Sequence, residues 1–528
     1  MAFTRNFKKT VLILLFISTT IVIAAGIIFF RNNPYLTPQY LQTYFSYFRY
    51  RLEFAASSGQ GALAAVFFSN RNQTYVNNGE AKAVPVLLYH GVVPKEDGTN
   101  ISAEKFKEQM FALKKAGYET VSLADLYAFL KGEKKLPDKS FVLTFDDGRK
   151  DSYYPVDPIL RALDYRAVIF VVASFSITDK SSYYLTKEEV KQMINSGRWE
   201  IGSHGNNSHE LYPVDADGKS GQFFANRLWL ARERRLETPE EFETRIKNDL
   251  SESKKELAST FGIEINEFAL PFGNLDLNSE NFPESSKKVT AAIKENYRLA
   301  FVQFNTDLRF EQNTPAQSLK PADNFLVKRI EPHFDWDGKK LLDKLNRGSP
   351  KQLPFEDDFF SDQGWYFTWG EANQQNGIME LKPAPRDTGS AAILDGTEVW
   401  QNYTFKASVD NFLGSNIYLW ARYRNDDNYV ACNFGRDRTH IDQRIAGETR
   451  VIRGELLGVP VPSKNFEIAI EANGRDIKCL LNGTVMVESF FLNPELFSGG
   501  IGIKAWDALP EKSYVKIKSV GVKEIPKS

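Results

Sequence analysis

The sequence predicts an α/β domain on parallel strands, then an all-β sandwich, both behind an N-terminal apolar span. Three observations carry this reading. From Val84 to Arg347 short apolar runs alternate with stretches of helical periodicity, the pattern of a parallel sheet or barrel with polar loops at the strand C-termini. Beyond Pro354 the period drops to two, as in "NIYLWARYRNDDNYVACNFG" and "FEIAIEANGRDIKCLLNGTVMVESF". Near the start, Val11 to Phe30 carry no charge.

The apolar run, "VLILLFISTTIVIAAGIIFF", follows Arg5, Lys8 and Lys9. About 20 apolar residues are long enough to span a bilayer, and positive charge ahead of them predicts an inside N-terminus. The rival is a cleaved signal peptide, whose apolar region is only about 7–15 residues. Here the run continues past Ala24-Ala25-Gly26, which favours an uncleaved, single-pass anchor in the cell membrane. Either way the rest of the chain lies on the extracytoplasmic side. Residues 1–30 are read as a cytoplasmic stub and transmembrane anchor, and 31–80 as a tether. Within the tether, "NNPYLTPQYLQTYFSYFRYRLEF" reads as a short amphipathic helix near the membrane surface.

Residues 81–347 form the α/β domain. "VPVLLYHGV" is a strand, and Ser102 is placed to cap a helix on which Phe106, Met110, Leu113 and Ala116 recur before Gly117 stops it. "YETVSL", "SFVLTF", "RAVIFVVA" and "WEIGSH" are strands; "SLADLYAFLKG", "YYPVDPILRALDY" and "TKEEVKQMINSG" are helices, the last capped by Thr186. Tyr212 to Leu250 is highly charged, and its second half predicts a solvated helix starting near Thr238-Pro239. The alternation resumes in "EINEFALPFGN", "RLAFVQFN" and "NFLVKRIEPH". "RGSPKQLP", Arg347 to Pro354, reads as a linker. Residues 355–528 are the sandwich, with Asn473-Gly474 and Asn482-Gly483 as hairpin turns.

Composition excludes some partners. With 66 basic and 67 acidic residues and no basic run, the chain lacks the clustered charge that phosphate backbones require, so nucleic acid is not expected. Nothing implies a protein partner. The two cysteines, Cys432 and Cys479, are no framework; they read as buried small hydrophobes, with pairing left open.

The chemistry is concentrated in "FVLTFDDGRK", where a buried strand ends in Asp146 and Asp147 followed by Gly148. There are five histidines: His90, His204, His209, His333 and His440. The first three follow predicted strands of the α/β domain closely, and His440 reads as a surface residue. His204 and His209 are separated by about 140° on an α-helix, so only a loop brings both onto one centre. Two imidazoles and one carboxylate leave open positions on a divalent metal, as in a catalytic zinc site. One aspartate is then a ligand, and the other is free to take a proton.

"TFDDG" (Thr144–Gly148), "SHGNNSH" (Ser203–His209) and "LPFG" (Leu270–Gly273) together resemble the polysaccharide deacetylases, the NodB-homology domains of carbohydrate esterase family 4. "PVLLYHGV" and the five-residue histidine spacing are similar to the poly-β-1,6-N-acetylglucosamine deacetylase subgroup. The resemblance covers 84–347. It implies a distorted (β/α) barrel and a metal-dependent N-deacetylase acting on an extracellular GlcNAc-containing polysaccharide. It makes Asp146 the general base and Asp147, His204 and His209 the ligands of a divalent metal, Zn2+ by ligand type. Pro271, Phe272 and Gly273 become the loop whose backbone N–H at Phe272 stabilises the oxyanion. The general acid is His90 at the first strand's end, with His333 in "RIEPH" as the rival. The arginine that usually precedes the loop and orients the base is absent, with Ala269 at about that place, and the family's later Asp-Trp and Leu-x-Ile-x-x-His motifs are not clean. The second reading is therefore a membrane-anchored glycan-binding protein with a degenerate deacetylase domain. The sandwich resembles concanavalin-like or laminin-G-like jelly rolls and is a candidate carbohydrate-binding module. Its Trp365, Trp369, Trp400, Trp420 and Trp506 are either stacking surfaces for sugars or core residues.

Overall fold

The computed structural model describes residues 38–57, 79–179, 182–273, 279–303, 310, 312–315, 324–456, 461–490 and 492–526. The predicted apolar span, Val11–Phe30, lies outside them; among the described residues no helix is long and apolar enough to cross a membrane.

Seven strands form the ring of the α/β domain: β1 (Val86–Tyr89), β2 (Ser140–Phe145), β3 (Ala167–Val171), β4 (Trp199–Ser203), β5 (Glu267–Ala269), β6 (Leu299–Gln303) and β7 (Leu326–Arg329), with the short strand Glu119–Thr120 added beside the start of β2. They pair in chain order, every pair parallel. A parallel bridge between Leu87 and Ile330 joins the two edges, with Leu88 N–H donating to Ile330 O and Ile330 N–H to Val86 O, each at 2.8 Å. The sheet is thereby closed into a barrel and leaves no open edge between β1 and β7.

Alternation along the strands sorts the side chains. Leu87, Tyr89, Phe141, Leu143, Phe145, Ile169 and Val171 belong to the large cluster that packs the outer helices. Val86, Val142, Val168, Phe170, Ala269, Phe301 and Val327 belong to a separate cluster that fills the barrel. Helix α3 (Leu123–Leu130) adds Leu123, Leu126 and Phe129 to this inner cluster. Residues of the inward parity that follow the last strand positions therefore emerge at the barrel mouth.

The other helices are α1 (Pro38–Ser57), α2 (Ala103–Lys115), α4 (Asp157–Leu163), α5 (Ala173–Thr178), α6 (Lys187–Asn195), α7 (Pro239–Phe261), α8 (Ser285–Asn296) and α9 (Gly338–Gly348). Thr186 and Thr238 open α6 and α7 with full capping boxes to Glu189 and Glu241. Ser102 sits at the N-cap of α2, but its side chain makes no capping bond. The charged stretch ahead of α7 is not featureless: it forms two short antiparallel ribbons, Leu211–Pro213 with Ser220–Gln222 and Trp229–Leu230 with Arg235–Leu236. The expected tether contains α1, which lies on the domain, with Tyr50 inside its main core cluster.

The C-terminal domain is a sandwich of an eight-stranded and a seven-stranded sheet around one apolar core. Cys432 in strand Asn428–Gly435 and Cys479 in strand Asp476–Leu481 form a disulfide. Both are buried, as the sequence suggests, and the pairing it leaves open is made. Both positions have inward parity, one on each sheet, so the bond crosses the core. His440, expected at the surface, is 8% exposed and takes a 2.9 Å hydrogen bond with Asn433. Trp365 and Trp400 belong to the core between the sheets. Trp420 is buried in a second cluster with Tyr366 and Tyr423, against which Trp369 packs.

The expected linker is also stitched down. Arg347 ends within α9 and pairs with Asp362 at 3.1 Å, Lys351 donates to Asp395 O at 2.5 Å, and Trp400 donates to Lys351 O at 2.9 Å. Polar side chains in a run that reads as flexible serve here as contacts between the domains.

Candidate active site

His90, Asp146, His204 and Arg329 all have the inward parity, at or just beyond the ends of β1, β2, β4 and β7. They meet at the barrel mouth, where (β/α) barrels place their chemistry.

Asp147 breaks the alternation. Its φ is 71° and that of Gly148 is 68°, so two successive left-handed residues turn the chain back over the mouth. Gly148 suits both the left-handed backbone and the tight space: a Cβ there would lie 3.0 Å from Val171 Cγ1. The turn carries the Asp147 carboxylate to the histidines. Its Oδ1 is 2.9 Å from His209 Nε2 and 3.5 Å from His204 Nε2. Ligand atoms from all three residues lie within 4.8 Å of one another, the one such group among the described residues. Burial works to raise the Asp147 pKa, but hydrogen bonds to His204 and His209 hold it well below the usual carboxylate range.

The histidine loop is held from behind. His204 Nδ1 lies 2.9 Å from the carbonyl of Ala269; a carbonyl only accepts, so Nδ1 carries a proton and Nε2 is the ring atom turned to Asp147. Asp249 of α7, 4% exposed, accepts from Asn206 N–H at 3.1 Å and Asn207 N–H at 2.7 Å. Gly205, at φ +85°, packs so closely that a Cβ would fall 1.8 Å from Ser208 Oγ. The five-residue spacing thus becomes a rigid loop that delivers both imidazoles to one point.

Asp146 is fully inside. Its two oxygens accept from Arg329 Nη1 at 2.6 Å and Nη2 at 2.7 Å, a fork-to-fork pair between two residues each at most 2% exposed. Burial pushes the Asp146 carboxyl up, while Arg329, His204 and His90 outweigh it and leave the pKa below normal. This corrects the expectation that no arginine orients the base. The position ahead of the loop is indeed Ala269, but β7 supplies the guanidinium across the barrel.

His90 Nδ1 is 2.8 Å from Glu331 Oε1, and Gln303 Nε2 donates to the other oxygen of Glu331. Burial alone would depress the His90 pKa; Glu331, with Asp146 and Asp147 behind it, pushes it up to about 9. His333 is elsewhere in character: its side chain is 42% exposed and pairs with Asp335.

Phe272, at φ 62°, stacks its ring on His209 at 5.0 Å and 22°. Its neighbours Pro271 and Gly273 complete a turn held by Leu270 N–H to Phe301 O at 3.0 Å. The positions that sequence reasoning did not assign are Arg329, Glu331 and Asp249.

Residues 133–290 match the polysaccharide deacetylase family, and the α/β domain is a polysaccharide deacetylase domain of the NodB type. Its relatives include the poly-β-1,6-N-acetyl-D-glucosamine N-deacetylase of Escherichia coli K12, 31% identical over 186 residues, 33% of this chain. The protein of the same name from Staphylococcus aureus N315 is 24% identical over 242 residues, 45% of this chain and 72% of that one. The matched stretch spans only 28% of the E. coli protein's length. A solved de-N-acetylase from Aggregatibacter actinomycetemcomitans is 24% identical, with a TM-score of 0.41, over 50% of this chain and 99% of that one.

Proposed function

We propose that this chain removes N-acetyl groups from a GlcNAc-containing polysaccharide outside the cytoplasm, held at the membrane by its N-terminal apolar run. The observation that carries the reading is the convergence on one barrel mouth of a His–His–Asp group, an arginine-held aspartate and a carboxylate-backed histidine. The names of the relatives supply the substrate class.

Asp147, His204 and His209 fit a divalent cation, Zn2+ by donor type: two imidazoles and one carboxylate, with His204 Nε2 already aimed by the contact of Nδ1 with Ala269. When bound, such an ion polarises the acetamide carbonyl and acidifies a water. Asp146 stays ionised at neutral pH and accepts the proton of the attacking water, while Arg329 keeps its carboxylate in one orientation. His90 is protonated below about 9 and gives its proton to the departing amine, without which the C–N bond would have to expel an amide anion. The turn at Phe272 is the element whose N–H meets the charge that grows on the carbonyl oxygen. The forked Arg329 argues against the degenerate-domain reading, because a decayed site has no need of an oriented base. On the sandwich, half-exposed Trp369 and Trp506 are the rings available to a sugar, which supports a polymer-holding module.

The test is acetate release, with matching appearance of free amine, from β-1,6-linked N-acetylglucosamine oligomers by the full chain with and without a chelator. Asp146→Asn is expected to lower the rate by about 10²–10⁴ while leaving bound metal unchanged. Polymer binding and full metal content without any acetate release would instead favour the glycan-binding reading.

A further inference from the structure

Helix α1 has two faces. Tyr47 and Tyr50 are buried; Phe54 meets Phe111 of α2 edge-on at 5.1 Å, the Arg161 guanidinium of α4 lies over the Tyr47 ring at 4.3 Å, and Lys107 pairs with Glu53 at 3.1 Å. These contacts fix the rotation of the helix on the domain. On the opposite side Phe45, Phe48 and Leu52 are 71%, 41% and 40% exposed. At spacings of three and seven they form one stripe along the helix. Single exposed apolar residues are ordinary, but an aligned stripe of three large ones marks an interaction surface. Arg49 borders the stripe, its side chain 62% exposed and its guanidinium 4.6 Å over the Tyr50 ring.

The position of the helix in the chain identifies what covers this stripe. Pro38 is eight residues beyond Phe30, where the uncharged apolar run ends. Eight residues reach at most about 28 Å when fully extended, so a run that crosses a bilayer keeps α1 beside that bilayer's surface. An aromatic and aliphatic stripe bordered by an arginine is the composition of a helix lying in the headgroup region, with rings among the upper acyl chains and the cation at the phosphates.

We propose that α1 beds its Phe45–Phe48–Leu52 stripe in the lipid interface and so sets the standing orientation of the barrel on the membrane. The proposal rests on the anchoring reading above and is tested apart from it. The two native cysteines are paired with each other, so single cysteines placed by Phe45→Cys, Phe48→Cys and Leu52→Cys accept a nitroxide label in the full chain reconstituted into vesicles with anionic lipid. Phe360→Cys, at a site 77% exposed on the sandwich, is the water-facing control. The three α1 labels are expected to relax several-fold more with oxygen than with a water-soluble nickel complex, and the control the reverse. Labels on α1 that match the control, in a chain that resists carbonate extraction, overturn this proposal and leave the anchor standing. Labels shielded from both reagents, as beneath a second copy or another segment of the chain, also overturn it. A chain that carbonate strips from the vesicles overturns the anchor and this proposal together.

Discussion

Arg329 at the barrel mouth and Arg422 in the sandwich are each 1% exposed, yet their surroundings differ in kind. Arg329 is met by a carboxylate in a symmetric fork. Arg422 donates to the carbonyls of Gly474 at 2.6 Å, Leu496 at 2.8 Å and Gln401 at 3.1 Å, with burial depressing its pKa. Its partners are neutral, fixed by the backbone and unable to act further. Asp146 has lone pairs left after the fork is made, and a proton acceptor needs one. A buried cation therefore marks a site only where its partner keeps capacity for a third party.

This contrast is open to attack by substitution, beginning with the largest effect. Arg329→Lys keeps the charge but loses the planar fork; kcat/KM is expected to fall on the order of 10², with metal content unchanged by atomic absorption. Wild-type turnover in that variant would reduce Arg329 to a second structural arginine. Asp249→Asn should weaken metal binding about 10–100-fold in a competition titration against a chromogenic chelator, because the loop between the two histidines loses its anionic clamp. An unchanged affinity would mean the loop holds itself.

Next comes the pH dependence. His90 has a raised pKa, so its acid form is complete at low pH and is lost as pH rises through about 9. Asp146 has a lowered pKa, so the base form persists across the neutral range. Activity should therefore fall on the alkaline side only as His90 deprotonates. In Glu331→Gln that limb is expected to move from about 9 toward the ordinary 6.5, with the acidic limb unmoved. A limb that stays in place assigns the titration to another group. The smallest effect on chemistry belongs to Arg422→Lys: kcat/KM stays at the wild-type value, while urea unfolding shows a loss of about 1–3 kcal/mol from carbonyls left without a donor.

The alternation of the strands made much of this site legible. His90 and Asp146 stand in the same parity as Val86 and Val142 at the starts of their strands, His204 continues the inward parity of its strand, and "TFDDG" announced the turn that sets Asp147 apart. Arg329 was legible in principle, as an arginine closing the apolar strand "LVKR", but it lies 60 residues past the place where a motif search expects it. Asp249 left a fainter mark: it is the one anion buried on the face of α7 that also carries Phe242, Ile246, Leu250 and Leu257. Glu331 could not be read, because its pairing with His90 depends on barrel closure between the first and last strands. The same holds for Cys432 and Cys479, whose inward parity was readable and whose facing positions on two different sheets were not. His440 was misjudged because a cross-strand neighbour, Asn433, covers it.

The closing bridge between Leu87 and Ile330 has one more consequence. In an open sheet the first and last strands are the farthest apart, and what each carries is local to its own edge. In a ring every strand end has the same distance to the centre, so a chemical duty belongs to a compass bearing around the mouth. An arginine that leaves one bearing can be replaced from another without moving the carboxylate it serves, and a tally of motifs along the chain will score that exchange as a loss.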